Sequence, residues 1–201
     1  MKINRRTQGE RSATTREALI TAGRSLFATR GFAAVGTEEI VKAAGVSRGA
    51  LYHHFPDKSE LFAAVYEAVE EDVIGAIAAT LAGADQSDPI ALLRLGASNW
   101  LDACGEAEVH QVVLLDGPAV LGLARWREIS TRYGVAMAEG LLARAVEARQ
   151  LAPQPVAPLA HILLGALREG ALYLSGAAHA EEARQEVGAV IDNLIASLGS
   201  S

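Results

Sequence analysis

Apolar residues recur at helical spacing along almost the whole chain, and no segment shows the two-residue alternation of a half-buried strand. Leu19, Gly23, Leu26 and Phe27 form a first stripe, opened by a Thr14/Glu17 capping box and stopped by Gly31, with Phe32 placed to fold back onto Phe27. Ile40, Val41 and Ala44 mark a short second helix that Thr37 caps and Gly45 ends. Leu51 and Phe55, four apart, give a third helix capped by Ser47. Asp57 and Glu60 open a long fourth helix with a stripe at Leu61, Phe62, Val65, Val69, Val73, Ile77 and Leu81. Its length from Lys58 to Leu81 is about 35 Å. After the loop at 83–89, Asp88 caps and Pro89 starts a helix reaching about Cys104. A shorter helix over 106–116 stops at Gly117-Pro118, and 119–150 is one long amphipathic segment. Prolines 153, 155 and 158 mark a loop, and two helices follow near 159–177 and 180–198. The expected fold is all-α, with about nine helices and a small N-terminal three-helix head on a larger helical body.

The segment 37–55 has its own chemistry. A helix, a Gly-containing turn and a second helix with basic, small and aromatic outer residues (Arg48, Gly49, Tyr52, His53) is a helix-turn-helix, whose second helix enters the DNA major groove. Arg48 stands at the start of that helix, where bidentate bonding to guanine O6 and N7 is favoured. Gly49 and Ala50 let the backbone approach base edges, or serve helix packing alone.

Charge changes the picture only through its distribution. The net charge is −6, yet residues 1–58 carry +5 and residues 59–201 carry −11. A basic head on an acidic body orients the head toward phosphate. The arm over residues 1–13, with Lys2, Arg5, Arg6 and Arg11, reads as disordered or as touching a neighbouring groove. Cys104 is the single cysteine, so no intrachain disulfide is possible and a reducing compartment fits. No secretory h-region and no stretch of about 18 apolar residues is present, so neither export nor membrane insertion is expected. No nucleophile elbow, phosphate loop or zinc-protease motif occurs. His53 and His54 are adjacent, so on a helix they diverge by about 100° and cannot share one metal. Cys104 and His110 lack further ligands. The chain is expected to carry no metal or cofactor and not to be an enzyme.

The run GVSRGALYHHFPDKSELF resembles the DNA-binding signature of the TetR family of bacterial transcriptional repressors, with His53 where that family usually has an aromatic. The resemblance is dense over residues 12–65. It implies a cytoplasmic homodimer on a pseudo-palindromic DNA operator, released by a small-molecule effector. Residues 1–58 then form the arm and DNA-binding domain, and 59–201 the effector-binding and dimerisation domain. Thr37 and Lys58 would hold the DNA backbone from either side, Tyr52 and His53 would reach it from the recognition helix, and Ser47 and His54 lie beside them. An effector pocket would draw on Trp100, His110, Asp116, Trp126, Tyr133, His161, Arg168 and Tyr173, polar or aromatic residues on otherwise apolar helices. Each reads equally as packed, hydrogen-bonded core. If His161 and Arg168 are buried, Asp116 or Glu169 is the cheapest partner. The last two helices carry small residues (Gly165, Ala166, Gly170, Ala171) and a stripe at Val187, Val190, Ile191, Leu194, Ile195 and Leu198. They pair across a dimer axis by resemblance, or form a monomeric core pair. A ligand-independent architectural DNA-binding protein with the same head is the alternative function, and a small helical enzyme a further one.

Overall fold

The computed structural model describes residues 8–199, and within them all regular structure is helical. The elements are α1 (Gln8–Ala34), α2 (Thr37–Ala44), α3 (Arg48–His54), α4 (Lys58–Ala82), α5 (Pro89–Ala103), α6 (Gly117–Ser130), α7 (Ala136–Glu147), α8 (Val156–Ser175) and α9 (Ala180–Leu198). A π-helical stretch, Val109–Asp116, runs directly into α6, and a π turn, Thr131–Val135, joins α6 to α7. The chain forms two compact units: residues 1–69 with 107–122, and residues 70–106 with 123–201. The boundary falls inside α4, which is one uninterrupted helix.

The first unit is built on α1. Leu19, Phe27, Ile40, Leu51, Leu61, Phe62, Val65 and Tyr66 are almost wholly buried. Phe27, Phe32 and Phe62 form an aromatic triangle with centroids 5.3–5.7 Å apart. Phe32 reaches Phe27 because Gly31 breaks the helix at φ 74, ψ 160, a conformation that only glycine adopts cheaply. The Ser47 and Asp57 caps form as the sequence implies, to the N–H groups of Ala50 and Glu60, and Gly45 closes α2 at φ 66. In the second unit α5 packs against α7, α8 and α9, and α8 packs against α7 and α9. Leu92, Leu101, Leu142, Ile191 and Ile195 are at its core.

Several expectations fail for local reasons. Helix α1 begins at Gln8, so residues 8–13 are helical and only residues 1–7 of the expected arm lie outside the described residues. The Thr14 hydroxyl donates back to Glu10 O at 2.8 Å instead of capping. Gly36, not Thr37, is the N-cap of α2, and the Glu39 carboxylate accepts its N–H at 3.1 Å. Gly117-Pro118 does not stop a helix. In a π turn the Gly117 N–H donates to Val112 O, five residues back, and the widened turn accommodates the proline. The expected single segment over 119–150 is interrupted at Gly122, with φ 72, and again by the second π turn.

Gly117 also shows how tightly the first unit is packed. A Cβ there would stand 2.4 Å from Tyr66 Cε2, and the tyrosine is fully buried. Gly75 in α4 has nothing within 4 Å of its Cβ position. Gly117→Ala is expected to destabilise by about 1–3 kcal/mol and Gly75→Ala to stabilise by about 0.5–1 kcal/mol, read as opposite shifts of the urea midpoint. A wild-type midpoint for Gly117→Ala would mean that Tyr66 moves aside freely.

Candidate nucleic-acid interface and cavity

Burial on one side of α3 dictates what the other side offers. Leu51 and Phe55 are in the core, which leaves Arg48, Gly49, Tyr52 and His53 exposed and Ala50 half-buried. No atom comes closer than 3.9 Å to a Cβ built on Gly49, so the backbone there can be approached closely. Arg48 Nη1 donates to Glu38 at 3.1 Å, and its guanidinium lies 5.6 Å from the Tyr52 ring centroid. Both members of that ion pair are mostly exposed, so it is weak. Ser47 is engaged as the α3 cap, and Thr37 is half-buried in the first turn of α2. His54 stands 5.2 Å from the His53 ring. Its partial burial, then His53 and Arg16, hold its pKa below the ordinary histidine value, so it is largely neutral near pH 7.

Lys58 is turned toward the protein. Its ammonium donates to Phe32 O at 2.8 Å and to Val35 O at 2.9 Å, and sits 4.0 Å from the Phe32 ring centroid. It therefore caps the carbonyl end of α1 with two of its three donors. Asp116 grips the same turn by accepting the Phe32 N–H at 2.7 Å. Glu108, eight residues earlier, takes a two-pronged bond from Arg24 at 2.6 and 2.7 Å. Thus Asp116 is engaged within the first unit, as a brace of the α1–α2 turn. His110 lies in the same unit, half-buried on the π-helical stretch.

The second unit holds a partly open cavity, with room for the centre of a water molecule over about 70 Å³. Among the predicted pocket residues, Trp100 and Arg168 line it. Trp126 does not line it, but the Arg168 guanidinium lies 3.9 Å from its ring centroid. Tyr133 is half-buried beside the lining residue Gly134, while His161 and Tyr173 stand exposed on α8. Most of the wall is apolar, including Ile74, Ile77, Leu141, Leu163 and Leu167. Sequence reasoning missed two polar residues of the lining, Glu70 and Ser130, which are 5% and 8% exposed. Glu70 was hidden in the acidic run 70–72, although it falls four residues after Tyr66 and seven before Ile77, on the buried stripe of α4. Burial, then Glu70, pushes the Cys104 thiol up to about 12, with Arg168 opposing, so this cysteine stays protonated and unreactive.

The model of the tetracyclin repressor-like C-terminal domain matches residues 90–198, and that of the tetR family of bacterial regulatory proteins matches residues 19–65. The chain belongs to the TetR family. It is 38% identical over 90 residues to the HTH-type transcriptional regulator AcrR of Shigella flexneri, and 39% identical over 90 residues to the HTH-type transcriptional regulator CymR of Pseudomonas putida. These matches take in 45% of this chain and 41% and 44% of the relatives, so less than half of either relative is spanned. A TetR-family transcriptional regulator from Pectobacterium atrosepticum has the same fold, with a TM-score of 0.81, 27% identity and coverage of 96% of this chain and 97% of that one. The TetR fold thus accounts for the whole all-helical architecture. Among the described residues of this TetR-family chain, no group of three His, Cys, Asp or Glu could hold a metal, and no helix is long and apolar enough to cross a membrane.

The double grip on Phe32 gives a direct test. Asp116→Ala removes the carboxylate acceptor and is expected to raise amide exchange at Phe32 by about tenfold or more, following a loss of about 1.5–3 kcal/mol for a charge-assisted hydrogen bond. Asp116→Asn, which keeps an acceptor oxygen, is expected to recover most of that protection. Equal exchange in wild type and Asp116→Ala would show that Lys58 holds the turn unaided.

Proposed function

We propose that this protein is a cytoplasmic, homodimeric transcriptional repressor that binds a pseudo-palindromic DNA operator and is released by a small-molecule effector. The observation that carries the reading is the outer face of α3, where Arg48, Gly49, Tyr52 and His53 are exposed together on a helix anchored by buried Leu51. Arg48 reads a guanine in the major groove, Gly49 and Ala50 admit the base edges, and Thr37, Ser47, Tyr52, His53, His54 and Lys58 contact the phosphates. Residues 1–58 serve as the DNA-binding domain, and 59–201 bind effector and partner.

The dimer is supported by an uncovered apolar surface on the last two helices. Ile162, Tyr173, Val190 and Leu194 are 68%, 62%, 58% and 45% exposed. Such a surface is costly on a monomer and fits a self-complementary patch. Two copies place two recognition helices on half-sites about 34–36 Å apart. Glu70, Ile74 and Ile77 line the cavity from α4, and the same helix begins at Lys58. A ligand that prefers one position of α4 lowers DNA affinity by its differential affinity for the two states, and by no more. The cavity favours this reading over a ligand-independent architectural protein.

Operator selection from random DNA, followed by affinity measurements over a range of salt, tests the assignment. Arg48→Ala is expected to cost about 1–3 kcal/mol on the best site and to relax one base pair per half-site. Uniform weakening on all sequences would reduce Arg48 to a phosphate contact. Lys58→Ala is expected to weaken all sequences alike and to reduce the salt slope by about one unit. An unchanged slope would assign Lys58 to the α1 cap alone. Leu194→Asp is expected to yield a monomer in sedimentation and to abolish tight operator binding. A dimeric Leu194→Asp would place the partner surface elsewhere.

A further inference from the structure

The cavity has a chemical character narrower than "apolar with some polar groups". Ser130 ends α6 at the point where the π turn Thr131–Val135 begins. Ser130 belongs to the cavity wall, and its hydroxyl is buried and has no hydrogen-bond partner. A helical serine ordinarily satisfies itself on the carbonyl four residues back, and a buried hydroxyl left unmet is costly. The ionisable side chains of the lining are Glu70 and Arg168, one of each sign. With one carboxylate and one guanidinium, the wall carries no net formal charge. A charged ligand would lose its hydration among leucines and isoleucines and find no net countercharge.

Resting on the reading of this cavity as the effector site, we propose that its ligand class is the small uncharged alcohol: a compact hydrocarbon body against Ile74, Ile77, Leu141 and Leu163, with one hydroxyl bonded to Ser130 Oγ. The hydroxyl both donates and accepts, as the serine does, so either can supply the hydrogen.

Four probes of one shape test the assignment: cyclopentanol, methylcyclopentane, cyclopentanecarboxylate and cyclopentylammonium. Their dissociation constants are read by ligand-observed NMR on the full chain, with operator affinity measured in the same samples. Cyclopentanol is expected to bind about tenfold more tightly than methylcyclopentane, the ratio for one buried hydroxyl gaining its partner. Both ions are expected to bind more weakly than the alcohol. In Ser130→Ala the alcohol and the hydrocarbon become equal, while methylcyclopentane still binds, which shows the cavity intact. The proposal is overturned if either ion binds as tightly as cyclopentanol, if alcohol and hydrocarbon are equal in wild type, if Ser130→Ala keeps the difference, or if none of the four binds. Cyclopentanol that binds through Ser130 without weakening operator binding upholds the ligand class and rejects the effector reading. A different compound that releases DNA equally from wild type and Ser130→Ala, and that cyclopentanol does not displace, upholds the effector reading and rejects the ligand class.

Discussion

The DNA-binding unit depends on how the C-terminal end of α1 is closed. A helix end leaves carbonyls without partners, and here the chain must also turn at once into α2. Gly31 supplies the positive φ that a side chain would resist, which swings Phe32 back into the triangle with Phe27 and Phe62. Two charged groups then hold the reversed peptide from opposite ends: Asp116 takes the Phe32 N–H, and Lys58 takes the carbonyls of Phe32 and Val35. The positions of α2 and α3 follow from that closure, because Val35 and Ile40 are buried directly after it. Arg30 continues the brace, bonding both Ala34 O and Glu39, and Glu39 caps Gly36. The Arg30 bond, then the Gly36 bond, hold the Glu39 carboxyl below the usual carboxylate range.

Features fixed by neighbours in sequence were legible. The left-handed close at Gly45, the caps at Ser47, Asp57 and Asp88, and Pro89 at a helix start require only a few adjacent residues. The family run over 45–62 was legible for the same reason, since its buried and exposed positions alternate within two turns of helix. The Thr14 and Thr37 caps failed against competing groups a few residues away, and the rest of what stayed hidden depends on partners far along the chain. Asp116 looked like a pocket carboxylate because its hydrogen bond spans 84 residues. Gly117-Pro118 looked like a stop because nothing nearby announces the buried Tyr66 ring that requires a glycine there.

The cavity shows the same division from the other side. Of its apolar wall, Ile77, Ile191 and Ile195 lie on the stripes expected from the sequence, whereas Ile74, Leu141 and Leu163 were in none of them. Its polar residues did not follow from type: His161 and Tyr173 are exposed, while an ordinary serine and a glutamate in an acidic run are buried. Phase along the helix was the better guide for Glu70, because a charge on the buried stripe must be compensated or neutralised. Ser130 left no such trace, since the π turn after it changes the phase on which a helical reading depends.

Lys58 links the fold of the head to its proposed chemistry. An ammonium has three donors, and two are spent on the carbonyl end of α1, so one remains for a phosphate. A DNA phosphate and the helix end therefore draw on the same charge and do not exclude one another. Lys58 stands at the start of α4, so its two bonds tie that end of the helix to Phe32 and Val35. Because hydrogen bonds weaken steeply with distance and angle, a shift of well under one residue rise is enough to matter. On the proposed reading, an effector that prefers one position of α4 changes DNA affinity by its differential affinity for the two states, without touching the recognition helix.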